Sequence, residues 1–274
     1  MESGWTAPRA APRCAVCPFR AVPLGDNDRV KPFLLIATRP EDEVAQSEYE
    51  AVLRLTGLEP EQLRHILLDR TPMPPVDLEE ISGIIVGGSP YNTSDDAASK
   101  SADQVRAERE LGELLDRVVE ADFPFFGACY GVGTLGVHQG AIVDRTYGEP
   151  VSGIDVELTD AGREDPLVRA SGVPDSFLAF VGHKEAVHVL PEHAVLLATG
   201  QGCPVQMFRV GSSQYATQFH PELDNDGLVG RIRAYRDNGY FDPAEEEELI
   251  ERVRPVDVHH AAKLLRAFVQ LHAR

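Results

Sequence analysis

Pro124-Phe125-Phe126-Gly127-Ala128-Cys129-Tyr130-Gly131-Val132-Gly133 restricts the fold of this chain more than any other stretch. A short aromatic run reads as the end of a buried strand. The Gly127-Ala128-Cys129-Tyr130-Gly131 segment then has to turn at once into a helix. Small residues on both sides of one reactive residue are what a nucleophile elbow requires, because its tight backbone leaves no room for neighbouring side chains. A cysteine so placed projects its sulfur above a sheet and near a helix N-terminus. Amide N–H groups and the helix dipole there favour thiolate, so the expectation is an activated sulfur. The same residues also suit an inert, buried cysteine, and this stretch alone does not choose between the two.

The chain around it has the rhythm of an α/β protein. Phe33-Leu34-Leu35-Ile36-Ala37-Thr38 is a continuous apolar run, as in a strand covered on both faces. Val44, Tyr49, Val52, Leu53 and Leu55 follow at helical spacing and stop near Gly57. Ile66-Leu67-Leu68 and Ile84-Ile85-Val86 read as two more strands, the latter running into Gly87-Gly88-Ser89-Pro90. Residues 101–121 form an amphipathic helix with Leu111, Leu114, Leu115, Val118 and Val119 on its apolar stripe. These alternations predict a mostly parallel sheet with helices on both faces. The middle of the chain, 151–158, 177–181, 195–199, 205–210 and 215–219, reads instead as short strands joined by Gly, Pro and Asp turns, a small antiparallel or mixed extension of the same sheet. Helices around 227–238 and 257–272 close the chain. The Glu245-Glu246-Glu247-Glu248 run opens a shorter helix between them, where negative charge suits an N-terminus. Residues 1–30 show no periodicity and read as a flexible lead-in, and residues 31–274 as one domain.

Composition excludes several classes. A formal net charge of -18 argues against nucleic-acid or anionic-membrane surfaces, which need clustered Lys and Arg. No apolar run approaches the ~20 residues that span a bilayer, and no secretory signal is visible. Four cysteines in 274 residues do not make a disulfide framework, so a cytoplasmic protein with free thiols is expected. Cys14-Ala15-Val16-Cys17 is a lone C-x-x-C pair, and a zinc site would need two further ligands where only Cys203 is spare. No metal and no cofactor is expected. His138, His188 and His193 read as structural.

Two further stretches fall at strand ends. In Gln218-Phe219-His220-Pro221-Glu222, Pro221 pushes His220 toward the extended conformation, in which residues two apart point the same way. A histidine could then activate the thiol and later protonate a leaving amine, with Glu222 holding its tautomer. Gly87-Gly88-Ser89-Pro90 could point a backbone N–H at a developing oxyanion, with the Tyr130 N–H as second donor. Each stretch alone is compatible with a plain turn; together they describe a thiol acyl-transfer site.

Gly-Gly-Ser-Pro, Gly-Ala-Cys-Tyr-Gly and Gln-Phe-His-Pro-Glu, in this order, resemble a class I glutamine amidotransferase, from about Phe33 to Glu222. The chain is most similar to stand-alone members related to the glutaminase domain of GMP synthase. The resemblance implies a flavodoxin-like α/β domain that hydrolyses the side-chain amide of L-glutamine through a γ-glutamyl thioester and passes ammonia to an acceptor site. It implies Cys129 as nucleophile, His220 as base, Glu222 as its orienting acid, and the backbone of Gly88 and Tyr130 as the oxyanion hole. Gly87, Ser89, Gly133, Gly182, His183 and Lys184 fall where the family contacts its substrate, and Lys184 could pair with an α-carboxylate.

Two departures accompany the resemblance. Many members carry Gln at the position of Gly133, so the pocket here is either wider or takes its polar contacts from elsewhere. The residues after Glu222 are too few for a synthetase domain, and no G-x-x-x-x-G-K-[ST] loop appears. The expectation is therefore a small-molecule amidase that feeds ammonia to a separate synthase subunit. The alternatives are a hydrolase of another γ-glutamyl amide or peptide, and a non-catalytic binding or regulatory subunit of the same fold.

Overall fold

Strand β1 (Phe33–Ala37) is completely buried, and its alternating side chains feed two separate cores. Phe33 and Leu35 point to one face of the sheet, Leu34 and Ile36 to the other, as the two-residue period of a strand dictates. β1 pairs in parallel with β2 (Leu63–Leu67) on one side and with β3 (Gly83–Val86) on the other. β3 pairs in parallel with β4 (Phe125–Ala128), the strand of the elbow. The computed structural model that carries these elements describes residues 30–237 and 239–274. The expected lead-in, with Cys14 and Cys17, lies outside them apart from Val30.

β11 (Gln214–Thr217) comes from far along the chain yet lies parallel beside β4, with Tyr215 opposite Phe126 and Thr217 opposite Ala128. From β11 the sheet continues antiparallel through β10 (Met207–Val210), β9 (Val195–Gly200), β6 (Glu149–Leu158) and β7 (Ser176–His183). Among the described residues the order is β2-β1-β3-β4-β11-β10-β9-β6-β7, five parallel strands extended by four antiparallel ones. The expected mixed sheet is present. Its last parallel strand ends at Thr217 rather than at Phe219, which releases Gln218 to Glu222 as a loop beyond the sheet edge.

Helices cover both faces. α1 (Asp42–Thr56) stops at Gly57, whose φ of 81° is a left-handed cap that favours glycine. α2 (Ala102–Glu120) is capped by the Ser101 hydroxyl, which accepts the Gln104 N–H at 3.1 Å, and its leucine stripe packs on the Leu34 face. α3 (Tyr130–His138) follows the elbow. Sequence periodicity did not show the strand pair β5 (Ile142–Asp144) and β8 (Ala186–Val189), nor the helices α4 (Asp160–Glu164) and α5 (Pro166–Ser171). All four are six residues or shorter, too short to establish a period. α6 (Asn225–Ala234) and α7 (Glu246–Val253) form a third core with Leu223 and Phe180, roofing the loop that carries His220. α8 (Ala261–His272) lies on the Phe33 face, where the Phe268 ring sits 6.2 Å from Phe33 and 5.4 Å from Phe126.

β4 and α3 fit closely at the elbow. A Cβ on Gly127 would lie 2.7 Å from the Gly131 Cα, a backbone atom with nowhere to go. Gly127→Ala is expected to cost ~1–3 kcal/mol, as overpacking does. Urea unfolding of the purified variant measures this, and a loss well under 1 kcal/mol would show that the turn can open.

Candidate functional site

Parallel strands bring their carboxyl ends to one edge of a sheet, and crevices form there. β1 delivers Arg39 to that edge, β3 delivers Gly87 to Ser89, β4 delivers Cys129, and β11 delivers the loop with His220 and Glu222. Cys129 has φ 53° and ψ -88°, a left-handed backbone that a side chain other than glycine rarely adopts. Its N–H donates to the Thr217 carbonyl at 2.7 Å and its carbonyl accepts from Val132 at 2.9 Å, so both neighbouring strand and helix hold the strained residue in place.

His220 and Glu222 do meet, but across a turn over Pro221 and Glu222, closed by the Leu223 N–H on the His220 carbonyl at 3.3 Å, and not in the extended stretch expected. His220 Nδ1 lies 2.7 Å from Glu222 Oε1, and the His220 N–H donates to the Phe180 carbonyl at 2.9 Å. A carboxylate only accepts, so Nδ1 carries the proton and Nε2 keeps its lone pair. Arg231 reaches the same pair. Its Nη2 lies 3.1 Å from Glu222 Oε1 and 2.9 Å from Glu48 Oε1. Its Nη1 sits 3.1 Å from His220 Nδ1, a packing contact rather than a donation once that nitrogen gives its proton to Glu222. Glu48 Oε1 in turn accepts from Arg39 Nε at 3.1 Å, and Arg39 Nη1 donates to the Tyr235 hydroxyl at 2.9 Å. All of these side chains are buried. Two guanidiniums and two carboxylates therefore balance one another beneath a neutral imidazole.

The glycine pair explains how close these groups come. A Cβ on Gly88 would fall 2.6 Å from the Arg39 guanidinium, 2.8 Å from His220 Cε1 and 3.6 Å from Cys129 Cβ. Cys129 and His220 thus meet across Gly88, which has to be bare. Among the described residues, neither the Gly88 nor the Tyr130 N–H makes a backbone hydrogen bond. Gly87 differs: its N–H is committed to the Ile36 carbonyl at 3.1 Å and its Cα faces the Glu48 carboxylate, so it serves the ion-pair network and not a substrate.

Electrostatics correct one expectation. Burial pushes the Cys129 thiol up to about 12, against the pull of the Arg39 guanidinium, with Glu222 and Glu185 adding to the rise. The sulfur at rest holds its proton instead of standing as a thiolate. Burial likewise lowers His220 below the ordinary histidine value, although Glu222 works the other way, so the imidazole is neutral near pH 7. For Glu222 burial is the largest influence and acts upward. His220 and Arg231 together outweigh it and hold this carboxyl well below the usual carboxylate range.

Two lobes of a cleft open on either side of Cys129, sharing Ser89, Gly182 and Tyr240 as walls. The first is polar, with Asn92, Lys184, Glu185 and Gln218 among its lining. Lys184 lies half-buried there with its ammonium 4.4 Å from the Tyr240 ring centroid. The second touches His220 and is lined by Val151, Val181, Leu228, Ile232 and Phe241. Two more of the expected substrate contacts, besides Gly87, are engaged within the protein. His183 is buried with Nδ1 2.9 Å from the Glu185 carbonyl and Nε2 2.9 Å from Glu149 Oε2, so both ring nitrogens are occupied structurally. The space at Gly133 is not open either. A Cβ there would lie 2.8 Å from Glu185 Oε1 and 2.9 Å from Thr93 Oγ1. Glu185 accepts from the Thr93 N–H at 2.8 Å, the Thr93 hydroxyl at 3.0 Å and the Ser94 N–H at 2.7 Å, tying two loops together over the glycine.

Arg39, Glu48, Arg231, Tyr235, Tyr240 and Glu185 escaped the sequence reading. Ionic residues in amphipathic helices normally face solvent, and nothing local marks Glu48 or Arg231 as the inward exception. Glu185 alone had a signal, since it ends the Gly182-His183-Lys184-Glu185 stretch. Cys203 is buried, its sulfur 3.5 Å from the Val205 carbonyl, and belongs to the core. Among the described residues there is no His, Cys, Asp and Glu cluster that could hold a metal ion and no helix long and apolar enough to cross a membrane.

Residues 54–226 match the family model described as glutamine amidotransferase class-I. Over 175 residues the chain is 25% identical to a glutamine-hydrolyzing GMP synthase subunit of Thermoplasma volcanium, covering 64% of this chain and 76% of that one. Over 155 residues it is 32% identical to the glutamine-hydrolyzing GMP synthase of Porphyromonas gingivalis, covering 54% of this chain but 26% of that protein, so it spans only about a quarter of that relative. The crystal structure of a glutamine amidotransferase from Thermotoga maritima superposes with a TM-score of 0.66 at 22% identity, covering 88% of this chain and 98% of that one.

The shared carboxylate of Glu48 carries a clear expectation. Glu48→Gln leaves two buried guanidiniums facing one carboxylate, and breaking a buried pair in this way typically costs ~3–5 kcal/mol. Guanidinium chloride unfolding reports the loss. A change below 1 kcal/mol would mean that water already reaches this network.

Proposed function

Because the chain belongs to the class I glutamine amidotransferase family, we propose that it is a glutamine amidohydrolase acting through a γ-glutamyl thioester on Cys129. The observation that carries this reading is the strained Cys129 backbone facing the His220–Glu222 pair across Gly88. His220 Nε2 removes the thiol proton as the sulfur attacks the amide carbon, which suits a resting pair of neutral thiol and neutral imidazole. The new oxyanion lies within reach of the Gly88 and Tyr130 N–H groups, each such donor contributing typically ~2.7–4 kcal/mol to the transition state. The carbon–nitrogen bond then breaks as His220 returns the proton to the amine. Water, deprotonated by the same ring, hydrolyses the thioester to glutamate and regenerates the thiol. Glu222 keeps the Nδ1 proton in place and stabilises the imidazolium formed along the way. In the polar lobe Ser89, Lys184 and Gly182 are the proposed contacts for the amino-acid end of the substrate. The Thermoplasma relative is named as one subunit of a GMP synthase, and a separate synthase that takes up the ammonia is the proposed partner.

Ammonia release from L-glutamine by the purified chain tests this. Cys129→Ala is expected to bring release to background with an unchanged circular dichroism spectrum, and release that survives the change would sink the assignment. The pH profile gives a second check. A lowered His220 pKa keeps the base neutral to lower pH than a free histidine, so kcat/KM should hold level down through about pH 6.5 and fall only below it. An acid limb centred above 6.5 would contradict the buried base.

A further inference from the structure

We propose that the preferred substrate is a γ-glutamyl amide of an apolar amine, whose amine substituent fills the lobe lined by Val151, Leu228, Ile232 and Phe241; this rests on the amidase reading. Primary glutamine needs little room on its leaving side, since ammonia is no larger than a water, which a cavity of roughly 10–15 Å³ holds. The two lobes that meet at Cys129 are chemically different. The one with Asn92, Lys184, Glu185 and Gln218 offers polar partners to an amino-acid head, and His220 is not among its walls. The one that His220 does line is apolar. The leaving amine must lie against the group that protonates it, so the leaving group points into the apolar lobe. The cavity there measures about 50 Å³ and opens to solvent, several times the space that one such small molecule takes up by the same measure.

The charges at its floor do not ask for an ionic ligand. Arg39 is paired with Glu48 and bonded to the Tyr235 hydroxyl, and Arg231 is paired with both Glu48 and Glu222. What faces the open space is hydrocarbon and ring: Ile232 and Leu228 from α6, Val151 from β6, and Tyr235, Tyr240 and Phe241 from the segment after α6. Apolar walls with few polar groups are how small-molecule sites hold an apolar substituent. Cleavage is balanced as for glutamine: the carbon–nitrogen bond breaks, the His220 proton leaves on the amine, and water later releases glutamate. The case for a larger γ-glutamyl substrate therefore moves from Gly133, where Glu185 and Thr93 fill the space, to the opposite side of the nucleophile.

The test is binding to the full chain carrying Cys129→Ala, by calorimetric titration, so that it does not depend on turnover. γ-L-Glutamyl anilide is expected to bind at least tenfold more tightly than L-glutamine, and γ-L-glutamyl-L-glutamate no more tightly than glutamine. Adding Ile232→Trp, which fills the lobe, should erase the advantage of the anilide. Phe241→Asp, at the half-buried rim, should reduce it and serves if the tryptophan variant does not fold. Equal affinity for anilide and glutamine overturns the proposal, as does an advantage that survives these substitutions. A dipeptide that binds as tightly as the anilide overturns it too, by giving the lobe to a carboxylate. Failure of the amidase reading shows up separately, as wild-type chain that releases neither ammonia nor aniline.

Discussion

Glu48 Oε1 accepts from Arg39 and from Arg231 at once, and both arginines reach onward to the groups around Cys129. Charges withdrawn from water are tolerated only when each is paired and hydrogen-bonded. Here the pairing is drawn from four parts of the chain: the end of β1, the inward face of α1, the loop after β11 and the later turns of α6. The network therefore does more than neutralise itself. It fixes the distance between α1, α6 and the sheet edge, and that distance sets where Glu222 holds the His220 ring. Gly87 and Gly88 belong to the same arrangement, since a side chain at either would collide with the network.

A neutral thiol beside a neutral base is a quiet resting state. The helix N-terminus after Cys129 favours a thiolate, while burial and the nearby Glu222 and Glu185 carboxylates push the thiol upward against the pull of Arg39 and Arg231. Sulfur that keeps its proton resists adventitious oxidation and alkylation, whose targets are exposed thiolates. Reactivity then depends on proton transfer to His220 at the moment a substrate is aligned. The strained backbone at Cys129 supports this, because it aims the sulfur at the cleft without any rearrangement.

What the sequence revealed and what it hid divide along physical lines. β1, β3 and β4 were legible because strands buried on both faces are continuously apolar; β2 showed only its Ile66-Leu67 end because Arg64 and His65 interrupt it, and β11 looked like one more strand of the extension. The long helices were legible because fifteen or more residues of α1 and α2 establish a period. The elbow was legible because steric crowding leaves only small residues around Cys129. The His220–Glu222 pairing was legible as a pair of residues, although a turn brings them together where an extended stretch was expected. The ion-pair network was not legible, since Arg39, Glu48 and Arg231 look like any surface charges until the fold brings them together. A local argument at Cys129 likewise sees the helix dipole but not the Glu222 and Glu185 carboxylates that the fold brings near the sulfur. His183 reads as a ligand in a loop and proves to be a brace, because its partner Glu149 lies on another strand.

Glu185 holds Thr93 and Ser94 across the bare Cα of Gly133, and this has a consequence for how the site can change over generations. Restoring a long side chain at 133 by itself drives it into a carboxylate and a hydroxyl that are already bonded to each other. Trimming Glu185 by itself leaves two backbone amides and a hydroxyl without their acceptor. Residues 133 and 185 share this contact, so the effects of changing the two positions do not add. A longer side chain at 133 is therefore accommodated only together with a change in the loops that carry Glu185 and Thr93.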